Sequence, residues 1–255
     1  MVSEQIMCIL SQCTAQDNTI FINSGQLDRK TYESVNSVLD ALGGKWNRKA
    51  KGHIFDYDPA DALAAVVSTG EVSDKNPLAY FPTPAPVIDQ MFDNLVLYAK
   101  REIHTILEPS AGDGAIVAAM RNRLHSAKIV AVEIDPHRAQ KLRERNLTNV
   151  EVIEADFLQW QPDQQFDAVL MNPPFRTNGH PLAYIEHIEH ALTMRDASGL
   201  LLSVTPIGWQ FAGNRKRLTQ FRERVENEGF TRDLPDDAFA TSGTSVRTCL
   251  VGFGS

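Results

Sequence analysis

Leu170-Met171-Asn172-Pro173-Pro174-Phe175 is the stretch on which the reading of this chain turns. It closes an apolar run, residues 166–171, with the length of a buried strand. Proline fixes its own backbone and has no N–H to donate, so the Pro-Pro pair ends the strand and stiffens the loop. A residue before proline is held extended, which restrains Asn172 and Pro173 in turn. The expected product is a rigid loop offering an amide, a free backbone carbonyl and a ring at the carboxyl end of a strand. Ligands of open α/β sheets bind at that edge. The plain reading is a turn with a buried Phe, and the neighbouring strand ends have to decide.

Strands are expected over 104–107, 128–133, 150–154, 166–171 and 199–205. Helices fit between most of them, over 115–124, 136–145 and 182–192. Apolar strands alternating with amphipathic helices imply an α/β fold, a mainly parallel sheet covered on both faces. A helix over 87–100 precedes this block. A helix over 217–228, a piece at 230–234 and a strand over 246–253 follow it.

Residues 1–75 read as a small α+β domain. A leader enters a strand at 19–23. A helix over 28–42 stops at Gly43-Gly44, and two short extended pieces flank a basic turn at 45–55. A second helix over 60–68 has Asp58 as its cap and Pro59 at its first position. The proline-rich run 71–86 reads as a linker, so residues 76–255 form the second domain.

With 255 residues, 43% hydrophobic and 22% charged, the chain fits a soluble globular protein with a sizeable core. Cys8, Cys13 and Cys249 form no framework, which points to a reducing, cytoplasmic setting. Neither a secretory signal nor a membrane span is expected. The net charge of −7 argues against general adhesion to nucleic acid, so any such contact needs a local basic patch.

Three further strand ends carry chemistry. Glu108-Pro109-Ser110-Ala111-Gly112-Asp113-Gly114 is a glycine-bearing turn feeding a helix, where the backbone approaches a ligand closely. Val117 replaces the third glycine of the dinucleotide pattern, so this turn alone is a weak signal. Glu133, nineteen residues after Gly114, is an acceptor that takes both hydroxyls of a ribose, as NAD or S-adenosylmethionine sites require. Asp156 is placed to accept from an adenine amine and Phe157 to lie on the ring, although Asp156 alone is equally a helix cap. Together these ends describe a nucleoside pocket. Hydride transfer has no use for Asn-Pro-Pro-Phe beside it, whereas amino-methylation does.

On these residues the chain resembles the class I S-adenosylmethionine-dependent methyltransferases, and within them the DNA adenine-N6 branch. The resemblance covers residues 78–255. It rests on Glu108 to Gly114, Glu133, Asp156-Phe157 and Asn172 to Phe175. Tyr80-Phe81-Pro82-Thr83-Pro84 resembles the element that such enzymes place over the methionine part of the cofactor, in a gamma-like motif order. The resemblance implies a Rossmann-like, seven-stranded, mostly parallel sheet whose last strand is antiparallel. It implies S-adenosylmethionine held by Phe81, Thr83, Glu108, Ser110, Gly112, Gly114, Glu133, Ile134, Asp156 and Phe157, with no metal. It makes Asn172, Pro173, Pro174 and Phe175 the reacting loop. Similar loops serve families that methylate guanine N2 in RNA or glutamine in proteins. The first residues also resemble leaders of phage-type methylases.

The chemistry has its own logic. An adenine amine is a poor nucleophile because its lone pair is delocalised into the ring. Acceptors at the Asn172 side chain and the Pro173 carbonyl favour a pyramidal nitrogen in the transition state. Extruding a base from a duplex costs a few kcal/mol. One stacking ring contributes roughly 1–3 kcal/mol. Phe175 is the expected ring, with Phe239 and Trp209 as further candidates or core residues.

DNA is the expected partner, with RNA open. Lys45, Arg48, Lys49 and Lys51, with Trp46 and Asn47 among them, suit phosphate contacts or form a solvated hairpin tip. Arg215, within the cluster Arg215-Lys216-Arg217, Arg222 and Arg224, is a second candidate or part of an exposed helix face. His187 and His190 lack metal spacing and read as a solvated face. Sequence-specific adenine methylases usually carry a target-recognition insert, and 175–199 has room for little more than a helix. Specificity is therefore expected to be low, or to reside in the first seventy residues. The alternatives are an amino-methyltransferase acting on guanine N2 or adenine N6 of RNA such as rRNA, and a non-catalytic nucleic-acid-binding module with a methyltransferase fold. The recognition sequence, the oligomeric state and the biological purpose are open.

Overall fold

The computed structural model describes residues 2–55, 59–70, 72, 81–177, 180–211, 215–242 and 246–254. Tyr80, the expected cap Asp58 and most of the expected linker lie outside the described residues. The chain divides into two compact units. One comprises Met1–Leu78, Phe175–Leu182 and Pro206–Glu223; the other comprises Ala79–Pro174, Ala183–Thr205 and Arg224–Ser255. The first is therefore wider than the expected domain of residues 1–75, because two later segments belong to it.

The first unit begins with α1 (Glu4–Gln12), β1 (Thr14–Gln16), β2 (Thr19–Phe21), α2 (Arg29–Ala41), β3 (Lys45–Asn47), β4 (Gly52–Ile54) and α3 (Ala60–Thr69). The expected leader is a helix. Ser3 Oγ accepts the Ile6 N–H at 3.4 Å, and Ile6, Ile9 and Leu10 bury one face at helical spacing. Asp28 caps α2 by accepting the Thr31 N–H at 3.1 Å, and Val35 and Leu39 are buried. Gly43 takes φ +91° after α2, a left-handed position open to glycine. The four strands form an antiparallel sheet in the order β1-β2-β4-β3. Of the later segments, a 3-10 turn at Ile207–Gln210 packs on α3 so closely that a Cβ on Gly208 would collide with the Ser68 backbone.

The second unit starts with α4 (Ala85–Tyr98) and alternates β5 (Thr105–Glu108), α5 (Ala115–Arg123), β6 (Lys128–Glu133), α6 (Pro136–Glu144), β7 (Val150–Glu154) and β8 (Phe166–Met171). Next come α7 (Ala183–Met194), β9 (Arg195–Pro206), α8 (Lys216–Glu228), whose residues up to Glu223 belong to the first unit, β10 (Gly229–Asp233) and β11 (Thr248–Phe253). The sheet has seven strands in the order β10-β11-β9-β8-β5-β6-β7. Pairings from β7 across to β9 are parallel, and β10 with β11 is antiparallel. β6 and β8 read as continuous apolar runs because nearly every residue in them is buried.

From β5 the chain winds outward through β6 and β7, then returns to lay β8 against the other side of β5. That reversal is a topological switch point, where open α/β sheets bind ligands at their carboxyl ends. Leu107 of β5 stands beside Val169 of β8, so Glu108 and Asn172 emerge at the same edge. At the opposite edge Asp167 Oδ2 accepts the N–H groups of His104 and Thr105, both at 2.9 Å. Burial opposes ionisation of Asp167, yet these bonds and Arg101 hold its carboxyl below the usual range. The two central strands are thereby locked in register.

Candidate active site

Glu108 is fully buried at the end of β5. One carboxyl oxygen accepts the Ser110 N–H at 3.2 Å, while Oε2 and the Ser110 hydroxyl are buried without a partner among the described residues. Burial drives the Glu108 carboxyl well above its ordinary range; the Ser110 bond opposes this and the nearby Glu133 charge adds to it. Buried polar atoms left unpaired are costly, and a ligand that satisfies them removes the cost.

The turn that follows is shaped by glycine. Gly112 and Gly114 take φ +54° and +78°. A Cβ on Gly114 would collide with Leu142 Cδ1 of α6, so a side chain here must displace Leu142 as well as adopt a positive φ. Glu133 Oε2 accepts the Gly112 N–H at 2.7 Å, and Oε1 accepts the Asp135 N–H at 2.9 Å. Arg138 Nη1 lies 3.5 Å from Oε1. Glu133 thus ties the first glycine loop to the second strand end, and an ionised carboxylate still has lone pairs for further donors. Asp135 accepts the N–H groups of His137 and Arg138 and so starts α6. Neither Arg138 nor this cap figured in the sequence reading. The Asp135-Pro136 pair, a cap residue followed by proline at the first position of the helix, was the available signal.

Ile134 presents an apolar side chain that is 50% exposed, beside the buried Glu133. Phe157 does the reverse of what was expected. Its ring is 3% exposed and packs against His187 and His190, with ring centroids 5.6 and 4.9 Å away. It is a core residue here and offers no open face to an adenine. The histidine face is corrected with it. His187 is buried and its Nδ1 lies 2.8 Å from the Ala183 carbonyl, while His190 Nε2 lies 2.9 Å from the Trp160 carbonyl. Apolar Phe157 drew that helix face inward. No group of metal-ligating side chains occurs among the described residues. Asp156 is exposed and Oδ1 accepts the Leu158 N–H at 3.0 Å, which makes it a cap of the following turn.

The loop after β8 is oriented from the chain that precedes the sheet. Asn172 Nδ2 donates to the Phe81 carbonyl at 3.2 Å and to the Thr83 hydroxyl at 3.0 Å. A carbonyl only accepts, so the amide nitrogen must face Phe81, and Oδ1 is left as the acceptor of the side chain. Ser242 Oγ donates to the Pro82 carbonyl at 2.6 Å and pins the same element from the far side. Pro173 is buried and Pro174 half-buried. Phe175 is 8% exposed, Phe239 2% and Trp209 2%. None of these three rings is an open stacking platform; Trp209 packs edge-on against Phe221 at 5.1 Å. Their large apolar areas are better buried than displayed.

Of the basic residues, Lys45, Arg48, Lys49 and Lys51 are all exposed on the β3–β4 hairpin. Arg215 is not available for phosphate. Its guanidinium donates to the Leu10 carbonyl inside the first unit. Burial lowers it to about 10 and raises the neighbouring Cys13 thiol to about 11. Arg224 pairs with Glu228 at 3.2 Å and lies over the Phe253 ring.

The donors and acceptors at the switch point fit a nucleoside bearing a cationic amino-acid arm. Glu108 Oε2 and Ser110 Oγ await partners, the glycine backbone leaves room for close approach, and Ile134 offers an apolar surface beside Glu133.

Comparison with known proteins agrees with this geometry. The model of the methyltransferase small domain matches residues 89–230. The type II methyltransferase M.CvrRI of Paramecium bursaria Chlorella virus XZ-6E is 35% identical over 97 residues, 38% of this chain and 24% of the viral protein. The tRNA1(Val) (adenine(37)-N6)-methyltransferase of Klebsiella pneumoniae (strain 342) is 35% identical over 170 residues, 58% of this chain and 66% of that enzyme. The chain thus spans about a quarter and about two thirds of the lengths of these relatives. In fold, it resembles a class I S-adenosylmethionine-dependent methyltransferase of Listeria monocytogenes, with TM-score 0.56 and 13% identity over 98% of this chain and 85% of that one.

Proposed function

The chain belongs to the methyltransferase small-domain family and depends on S-adenosylmethionine, and on that premise we propose that it methylates the exocyclic N6 amine of adenine in DNA. The observation that carries the reading is the tethered Asn172 amide. With Nδ2 committed to Phe81 and Thr83, Oδ1 accepts one N–H of an incoming amine and the Pro173 carbonyl accepts the other. Two acceptors below the amine withdraw it from conjugation as charge develops, which stabilises the transition state more than the ground state. When bound, S-adenosylmethionine supplies an activated methyl group. Glu108 and Ser110 would hold its amino-acid arm, Gly112 and Gly114 would let the backbone approach, and Glu133 would accept from the ribose. Ile134 would offer the apolar surface for its adenine ring in place of Phe157, and Asp156 would accept from its amine. Phe81 and Thr83 line the side nearest Asn172. Restraint of the reacting groups supplies much of the remaining acceleration.

The test is incubation with labelled S-adenosylmethionine and DNA, followed by nucleoside analysis. Label in N6-methyladenine supports the reading. Label confined to RNA or protein refutes it.

A second reading, N6 methylation of adenine in RNA, is favoured by one observation. The tRNA adenine-N6 enzyme matches 58% of this chain, against 38% for the type II viral enzyme. The same nucleoside analysis on tRNA separates the two.

A further inference from the structure

Positive φ in residues other than glycine is uncommon, and Asn and Asp tolerate it best. Among the described residues, Asp17, Asn146 and Asn149 follow that preference; Lys51, at φ +54°, does not. Lys51 closes the β3–β4 turn, where glycine or asparagine would fit with less strain. The turn itself is firmly built. Asn47 Oδ1 accepts the N–H groups of Lys49 and Ala50, both at 2.9 Å. Gly52 then sits so close to β2 that a Cβ would stand 2.8 Å from Thr19 Cγ2 and 2.9 Å from the Ile20 carbonyl. The result is a fixed tip on which Lys45, Arg48, Lys49 and Lys51 are exposed, in a chain whose net charge is −7. Trp46 adds an apolar ring, 49% exposed, held edge-on by the buried His53 at 5.2 Å. Lys51 thus adds a fourth cation to the tip from a backbone conformation that disfavours a side chain, and such local strain is a pointer to function.

We propose that this tip is a clamp for the phosphodiester backbone of the DNA substrate. The inference rests on the DNA reading above. The unit that carries the tip also contains Phe175–Leu182, the chain leaving the reacting loop. Contacts of this kind give affinity without reading sequence, and they make binding steeply salt-dependent.

The test is equilibrium binding of a fluorescein-labelled DNA duplex, by anisotropy, across a range of salt concentrations. Each phosphate contact removed lowers the slope of log K against log salt by about 0.9. Lys45→Ala/Lys49→Ala is expected to lower it by about 1.8. Lys51→Gly is expected to lower it by about 0.9 while the melting temperature holds or rises, a separation that a structural role for Lys51 would not give. Unchanged slopes in both variants overturn the clamp, as does tighter, tip-dependent binding of an RNA hairpin than of the duplex. Failure of the N6 reading looks different: the tip-dependent slope persists while no label enters adenine. Failure of the clamp alone leaves label in DNA adenine and the slopes of the variants unchanged.

Discussion

Thr83 and Asn172 are eighty-nine residues apart in the chain, and the hydroxyl of one lies 3.0 Å from the amide nitrogen of the other. That bond steadies an amide whose orientation the Phe81 carbonyl fixes, leaving the Asn172 side-chain oxygen to accept a hydrogen bond. Thr83→Val removes one of two restraints on the amide, and the Phe81 carbonyl remains. We expect kcat to fall by about tenfold, the equivalent of one hydrogen bond of about 1.4 kcal/mol. Asn172→Ala removes the acceptor itself and is expected to lower kcat by about 10²–10³. In both, calorimetry should find S-adenosylmethionine affinity nearly intact. Normal turnover in Asn172→Ala would mean that the amine is held elsewhere.

Glu108 makes the free protein sensitive to pH. Its folded carboxyl titrates above the unfolded value because it is buried. The unfolded chain therefore ionises first, and stability falls as pH rises from the ordinary carboxylate range through the raised folded value. Glu108→Gln is expected to flatten that decline in thermal melts recorded against pH, while weakening S-adenosylmethionine binding. A cationic arm reaching Glu108 favours its ionised form, so cofactor binding to the native protein should release a proton. Calorimetry in buffers of different ionisation enthalpy reads that release directly.

Gly114→Ala meets two obstacles, a φ of +78° and collision with Leu142. A loss of about 2–4 kcal/mol is expected, from backbone strain and overpacking together. Urea unfolding measures it. A loss below about 0.5 kcal/mol, the range of neutral surface changes, would show that the turn relaxes freely.

Ile134 and Phe157 were both expected at the cofactor, yet Ile134 is exposed and Phe157 buried. Ile134→Ser, at an exposed position, should weaken cofactor binding several-fold with little change in melting temperature. Phe157→Ala should do the opposite and cost about 3–5 kcal/mol of stability, as truncation of a buried aromatic does. Thermal melts and calorimetry on the pair distinguish the assignments.

What the sequence made legible was whatever a short range of residues decides. Largely apolar runs such as 166–171 marked the buried strands, and Asn-Pro-Pro-Phe and Gly-x-Gly marked strand ends, because backbone restrictions of proline and glycine act locally. The antiparallel last pair came from the resemblance. Side-chain direction was not legible. Phe157, Phe175, Phe239 and Trp209 are all buried, since an aromatic at a strand end serves a core as well as a ligand, and spacing does not say which. Arg215 looked like one more surface cation, until the Leu10 carbonyl, 205 residues away in sequence, claimed it. α1 was missed because Ser3, Ile6, Ile9 and Leu10 make a single short amphipathic helix, with no second signal to separate it from a leader.

The seat of Gly208 against Ser68 has a consequence for how the molecule is made. The first unit draws on residues as late as Glu223, so an emerging chain cannot complete it when residue 78 leaves the ribosome. Its early helices must wait, with the Ser68 face of α3 uncovered, until the five parallel strands of the second unit have been synthesised between them and their last partner. A unit assembled in that order is also not a cassette: cutting at residue 75 removes its beginning but leaves two of its segments behind. Evolution can therefore change its surface, residue by residue, far more readily than it can exchange the unit whole.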